Sequence, residues 1–168
     1  MADGSSSERR YQRASCAFSA EFTWGTVTHP AQVMIIGLGG CFLATPAVVP
    51  AGEEVDVAIT VEPEERPLHC RGKVAWLAER GLPIWGTRYP GFALEFLRIF
   101  PEDRGRIDEY VRKQTRIFRA IEHELKKRKP DLKLVKDLFR QVRPEESAHL
   151  SHIRRVCREE LKHFRLRK

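Results

Sequence analysis

No stretch of this 168-residue sequence approaches the roughly 20 consecutive apolar residues that a membrane-spanning helix needs. The first residues also lack the charged start and the apolar segment of a signal peptide, so we expect a cytoplasmic protein without a membrane span. The sequence contains only four cysteines, and they lie far apart in apolar segments. This pattern predicts buried thiols and no disulfide framework. The cysteines are Cys16, Cys41, Cys70 and Cys157.

Motifs of catalysis are missing as well. The sequence contains no phosphate-binding loop, no nucleophile elbow and no pair of carboxylates in surroundings that would separate their acidities. His149, His152 and Cys157 lie on one segment of helical pattern, but no fourth ligand follows at a suitable spacing for zinc. We therefore assign no catalytic residue, no metal site and no cofactor, and expect a protein that acts by binding.

The first part of the chain has almost no net charge. Residues 1–98 contain 9 basic and 11 acidic side chains, whereas residues 99–168 contain 21 and 12. The net charge of +7 therefore belongs to the C-terminal part. The hydrophobic content of 42% is enough for one buried core and an appendage.

The first part of the chain has the period of short strands. Six segments alternate apolar and polar residues or form a short apolar run: 16–24, 33–36, 41–43, 55–61, 68–77 and 92–96. Gly37, Gly39 and Gly40 separate the second and third, which is typical of a tight turn, and an acidic turn makes a hairpin of the fourth and fifth. The glycine- and proline-containing segment 78–90 is predicted to be a loop. Together the strands predict a closed antiparallel barrel over residues 14–100.

A change to helical periodicity follows at Pro101. Apolar residues recur at spacings of three and four over 107–125, 134–139 and 150–164, which predicts about three amphipathic helices within residues 101–168. The basic side chains of this helical extension alternate with acidic ones, Glu159 and Glu160 among them, as on a solvated surface. Its apolar stripes suit packing against each other, a protein partner or a second copy of the chain.

Before the first strand lies an N-terminal arm, residues 1–13, which we expect to be flexible because residues 1–7 are small, polar and too poor in apolar groups to order themselves. It carries Arg9, Arg10 and Arg13, which by spacing alone fit either a solvated basic segment or a flexible clamp for an anion. Three tryptophans could stack on a base. Of these we expect Trp76 to be buried in the core and leave Trp85 open.

These residues resemble the PilZ domain family over about residues 8–115. The family begins with two arginines four apart, which Arg9 and Arg13 match, and its second motif, an acid or amide followed by serine and glycine, aligns with residues 35–40. Four further segments also look like this family: Cys41 to Leu43, Gly72 to Trp76, Phe92 to Phe96 and Pro101 to Arg104.

The resemblance implies a six-stranded barrel that serves as a non-enzymatic receptor for the bacterial second messenger cyclic di-GMP, in the control of motility or biofilm. It implies that Arg9, Arg10, Arg13, Gly37, Gly39 and Gly40 bind the ligand. Arginine suits this chemistry because its planar fork donates to phosphate oxygens or to guanine, while its face stacks on a purine.

The second motif departs from the family pattern at two positions, since Ile35 replaces the acid or amide and Gly37 replaces the serine. The loss of two base contacts is worth about 2.5 to 4 kcal/mol, a weakening on the order of 10² to 10³. An alternative is therefore an adaptor that has lost ligand binding and acts through protein–protein contacts. A third, less favoured interpretation is nucleic-acid binding through the basic helical extension, which shows none of the specific recognition motifs.

Overall fold

The computed structural model of the protein describes residues 11–164, which form six strands followed by three helices. The strands are β1 (Arg13–Trp24), β2 (Val27–Gly37), β3 (Gly40–Ala44), β4 (Glu54–Thr60), β5 (Leu68–Ile84) and β6 (Thr87–Ile99). The helices are α1 (Pro101–Leu125), α2 (Leu132–Val142) and α3 (Leu150–His163).

The six strands close into a barrel with neighbours in the order β1-β2-β3-β6-β5-β4, and each pair is antiparallel. This confirms the predicted architecture, including the β4–β5 hairpin and the glycine-rich turn between β2 and β3. Each strand therefore has a hydrogen-bonded neighbour on both sides over at least part of its length, and the inward-facing side chains fill the interior.

The predicted loop over residues 78–90 is wrong, because the structure continues both strands outward as a hairpin. β5 extends to Ile84, β6 begins at Thr87, and Trp85 and Gly86 form the turn between them. Both turn residues have positive φ, 48° and 80°, as a two-residue hairpin turn that follows the strand twist requires. The register irregularity between Ala78 and Leu82 accommodates the residues that looked like a loop.

The expectation that Trp76 is a core residue is also wrong, since its side chain is 45% exposed. Val74 pairs with Leu94 and Trp76 pairs with the adjacent Ala93, so Ala75 is an extra residue in β5. Such a bulge reverses the alternation of inward and outward side chains. Val74 therefore faces the core, and Trp76 stands on the outer face of the sheet.

The helices pack directly on the barrel and share its hydrophobic core. Ile107, Val111 and Phe118 of α1 belong to the same buried cluster as the side chains inside the barrel. The hydroxyl of Tyr110 donates to the carbonyl oxygen of Ser15 in β1 at 2.9 Å. None of the helices within residues 11–164 is both long and apolar enough to cross a bilayer.

The C-terminal end of α3 meets the beginning of β1. Gln12 Nε2 donates to the carbonyl oxygen of Phe164, the residue that caps α3, at 3.2 Å. Phe164 is itself buried and packs against Phe118, with ring centroids 6.2 Å apart. The two ends of the described chain therefore lie side by side.

A buried polar cluster joins the barrel to all three helical segments. Glu160 of α3 is fully buried, so its interpretation as part of a solvated face is wrong. It accepts from the hydroxyl and backbone N–H of Ser15 and lies 3.3 Å from Arg143 Nη2. Arg143 also donates to Gln114 Oε1 at 2.8 Å and covers the ring of Trp85 at 5.6 Å. Burial raises the pKa of Glu160, and the charge of Arg143 partly offsets this.

The four cysteines are free and buried, which confirms the prediction of apolar thiols. Burial raises the pKa of Cys70 to about 12 and that of Cys157 to about 11. These thiols are therefore protonated at neutral pH and shielded from solvent.

Candidate functional site

A cleft of about 970 Å³ lies on the outer face of the barrel, where the β2–β3 turn, strand β6 and the start of α1 meet. This volume is in the range of sites for small molecules. The polar and aromatic side chains and the glycines that line it include Tyr11, Arg13, Gly37, Gly39, Gly40, Trp76, Glu95, Arg98 and Arg104. We call this surface the cleft.

Four of the six ligand-binding residues predicted from the sequence line the cleft. They are Arg13 at the start of β1 and the three glycines of the turn, Gly37, Gly39 and Gly40. The remaining two, Arg9 and Arg10, lie outside the described residues. The structure thus brings the last arginine of the arm onto the glycine-rich turn.

The contact between the arm and the turn depends on the absence of side chains at two glycines. A Cβ atom at Gly37 would lie 2.7 Å from the carbonyl oxygen of Gln12 and 3.1 Å from Arg13 Cγ. A Cβ atom at Gly39 would lie 3.1 Å from Cδ2 of Tyr11. A side chain at either position would push residues 11–13 away from the turn.

Gly40 has a different role, which belongs to the barrel. A Cβ atom there would collide with the carbonyl oxygen of Leu94 in the neighbouring strand β6. Its register partner is Glu95, and the N–H of Phe96 donates to the carbonyl oxygen of Gly39 at 3.0 Å. Gly40 is therefore required for β3 and β6 to pair, which is compatible with a ligand lying over the turn.

The floor of the cleft contains an apolar row that crosses four strands. Its members are register partners: Ile35 in β2, Phe42 in β3, Ala93 in β6 and Trp76 in β5. The rings of Phe42 and Trp76 are tilted by 30° with centroids 6.0 Å apart. The exposed indole of Trp76 offers a flat surface for a purine.

Arg104, in the first turn of α1, supplies a cation that sequence reasoning missed. Its guanidinium carbon lies 5.5 Å from the centre of the Tyr11 ring, and Nη2 is 3.4 Å from the hydroxyl oxygen of Tyr11. The neighbouring Arg66 and Arg106 are paired with Asp103, at 2.8 Å and 3.7 Å. Among residues 11–164, no carboxylate lies within 4.0 Å of Arg104, so its fork stays available to an anion.

The charge in the cleft favours anions. Arg13, Arg98 and Arg104 line it together with one carboxylate, that of Glu95. A concave surface with an excess of one charge concentrates ligands of the opposite charge. No sequence pattern indicates that Arg98 and Arg104 lie near Arg13, because about 90 residues of chain separate them and the closed barrel brings them together.

The other candidate side chains lie away from the cleft. Trp85 packs under Arg143 at the tip of the β5–β6 hairpin. His152 Nε2 lies 2.7 Å from Glu146 Oε2, and Cys157 Sγ donates to the carbonyl oxygen of Phe118 at 3.5 Å. Within the part of the chain that the structure describes, no group of three or more histidine, cysteine or acidic side chains could hold a metal ion.

Comparison with solved structures shows proteins of the same fold. The PilZ domain of YcgR from Escherichia coli with c-di-GMP is 18% identical, with a TM-score of 0.52 over 71% of this chain and 98% of that one. YcgR in complex with c-di-GMP, from the same organism, is 17% identical, with a TM-score of 0.54 over 70% of this chain. The Bacillus subtilis inhibitor of motility MotI/DgrA is 16% identical, with a TM-score of 0.53 over 64% of this chain.

The chain spans half the length of MotI/DgrA and of YcgR as solved in the complex. No curated protein matches the sequence. The comparison with protein families matches residues 7–113 to the PilZ domain, a range that contains all six strands, the arginines of the arm and the first half of α1. The chain therefore belongs to the PilZ domain family.

Proposed function

We propose that the cleft binds cyclic di-GMP and that the protein is a non-enzymatic receptor for this second messenger. The proposal rests on the position of the end of the arm: residues 11–13 lie on the Gly37–Gly40 turn, in an arginine-lined cleft of about 970 Å³. Membership of the PilZ domain family and the likeness in fold to a PilZ domain solved with c-di-GMP support the choice of ligand.

The chemistry of the cleft matches the two parts of a cyclic dinucleotide. Arg13 lines the cleft from β1 and Arg104 lines it from α1, and each can donate to a phosphate. Trp76 can stack on a purine ring. Arg9 and Arg10 immediately precede residues 11–13 in the sequence, and we propose that they also bind the ligand when the arm closes over it.

Isothermal titration calorimetry with cyclic di-GMP tests the proposal directly. We expect saturable binding to the wild type and a loss of about ten-fold or more in affinity for Arg13→Ala, because one charge-assisted contact is worth about 1.5 to 3 kcal/mol. Arg140→Ala is the matched control, since Arg140 lies on α2 and pairs with Asp137 at 3.3 Å. No heat at high micromolar ligand, or equal binding by Arg13→Ala, would contradict the proposal.

Tryptophan fluorescence gives a second readout of the same site. Stacking of a base on the exposed indole of Trp76 should quench part of the emission as ligand is added. The quenching should vanish in Trp76→Phe. Trp24 provides an internal reference, because its Nε1 donates to Glu53 at 3.2 Å on another part of the barrel.

A second candidate function is an adaptor that no longer binds the ligand, and the departures at Ile35 and Gly37 favour it. In that case the barrel and helices act through protein contacts, and Arg9→Ala should leave activity in the cell unchanged. For a receptor, we propose instead that ordering of the arm changes the surface seen by a protein partner or a second copy of the chain.

Nucleic-acid binding by the helices is less favoured, because many cations of the helical extension are already paired. Lys126, Lys127, Arg140 and Lys162 each form an ion pair with an acid one turn away on or next to the same helix. A steep salt dependence of binding to a generic duplex would revive this interpretation.

A further inference from the structure

Glu95 is the one carboxylate that lines the cleft, and it lies beside the glycine turn. It is the register partner of Gly40 across β3 and β6. Leu94, which precedes it, is buried in the barrel, so the exposed side chain of Glu95 stands on the outer face. It therefore rises next to backbone that has no side chain at Gly37 or Gly40.

Within residues 11–164 this carboxylate forms no ion pair. Among the described residues, no lysine, arginine or histidine nitrogen lies within 4.0 Å of a Glu95 oxygen. Lys73 is its partner across β5 and β6, yet the two do not form an ion pair. Both oxygens are thus free to accept hydrogen bonds from a bound ligand.

The chemistry of guanine calls for such a group. Its Watson–Crick edge presents two adjacent donors, N1–H and the exocyclic amine, which match the two oxygens of one carboxylate. Adenine presents an acceptor at N1, which would face the carboxylate unfavourably. The acid or amide expected at the end of β2 is replaced by Ile35, so the turn itself supplies no such acceptor side chain.

We propose that Glu95 determines base specificity by accepting from the Watson–Crick edge of one guanine of the dinucleotide. This inference rests on the proposed function and assigns the base-reading role to β6 in place of the β2 turn. The base lies over the bare backbone at Gly37 and Gly40 with its donor edge toward Glu95. The second guanine is left to Trp76 and the arm.

The test compares two cyclic dinucleotides that carry identical phosphates, cyclic di-GMP and cyclic di-AMP, by calorimetry. We expect the wild type to prefer cyclic di-GMP by at least ten-fold. Glu95→Ala should weaken cyclic di-GMP binding about ten- to a hundred-fold and leave cyclic di-AMP binding within about two-fold, so that the preference collapses. Glu95→Gln should fall between the two, because its amide oxygen still accepts one hydrogen bond while its NH₂ group opposes the guanine amine.

Glu79→Ala is the matched control, since Glu79 is an exposed acid of β5 that does not line the cleft. A role for Glu95 in barrel stability alone would lower the melting temperature without changing the ratio of the two affinities. If Glu95→Ala keeps the preference for cyclic di-GMP, the inference is refuted while the receptor function stands. If the wild type binds neither dinucleotide, the proposed function fails and this inference fails with it.

Discussion

Replacement of Arg143 by methionine should destabilise the whole fold, because it leaves a carboxylate buried without its counter-charge. Arg143 is 9% exposed and Glu160 is fully buried. Removing one partner of a buried ion pair typically costs about 3 to 5 kcal/mol, a large share of the roughly 5 to 15 kcal/mol by which a domain is stable. Methionine keeps much of the volume over Phe118, so the cost is mainly electrostatic.

The double variant Arg143→Met/Glu160→Gln separates this effect from lost packing. Glutamine carries no charge that would be left unpaired, and its side-chain oxygen can still accept a hydrogen bond from Ser15. We therefore expect the double variant to regain most of the lost stability. Thermal unfolding and urea unfolding, both followed by circular dichroism, measure the stability of the two variants. For a chain of this size, the single variant should melt about 6 to 20 °C lower than the wild type. A double variant no more stable than Arg143→Met would refute the reasoning.

The stability of Arg143→Met should also depend on pH, because the charge of Glu160 is no longer compensated. Burial already raises the pKa of Glu160 above its unfolded value, and loss of the arginine charge raises it further. A raised carboxyl pKa means that the folded state binds a proton more readily than the unfolded state, so acidification favours folding. The deficit of Arg143→Met relative to the wild type should therefore shrink as the pH falls from 8 towards 5, and the double variant should show no such trend.

Two further predictions concern the glycines and the thiols. Gly40→Ala should destabilise the barrel by about 1 to 3 kcal/mol or more, because the new methyl group would collide with the Leu94 carbonyl. Gly105→Ala should instead stabilise the fold by about 1 kcal/mol, because the position in α1 has open space around it. Thermal unfolding of both variants shows whether the two changes in stability have these opposite signs. A thiol reagent at pH 8 should label no cysteine of the folded protein and all four in denaturant. The reason is that the thiols are buried, which raises the pKa of Cys157 to about 11 and that of Cys70 to about 12. Fast labelling under native conditions would contradict the buried placement.

The sequence was sufficient for the architecture, because hydrophobic periodicity reports which face of each element is buried. It failed where one inserted residue reverses that periodicity: at Trp76, the bulge at Ala75 turns an apparent core position outward. It also failed at Glu160, where a charge on the edge of a helical stripe looks solvated until its partner is known. That partner, Arg143, lies in the connection between two helices, and no local rule links the pair.

The site was predictable to a similar depth. Family motifs pointed to Arg13 and the glycine turn, which the structure brings together. Glu95 and Arg104 lie in segments that resemble the family but were not predicted to bind the ligand, because one is an exposed acid on a strand and the other an exposed base on a helix. Their proximity arises from the strand order of the closed barrel and from where α1 leaves it, information that single-segment patterns do not contain.

The hydrogen bond from Gln12 to the carbonyl of Phe164 has a practical consequence for anyone who handles this protein. Since the start of β1 and the end of α3 are neighbours, the chain enters and leaves the described fold near the cleft. Affinity tags should therefore be cleaved before any titration. The same proximity makes residues 11–164 suitable for circular permutation, in which a short peptide joins Phe164 to Tyr11 and new ends open at the exposed turn after β1, at Gly25.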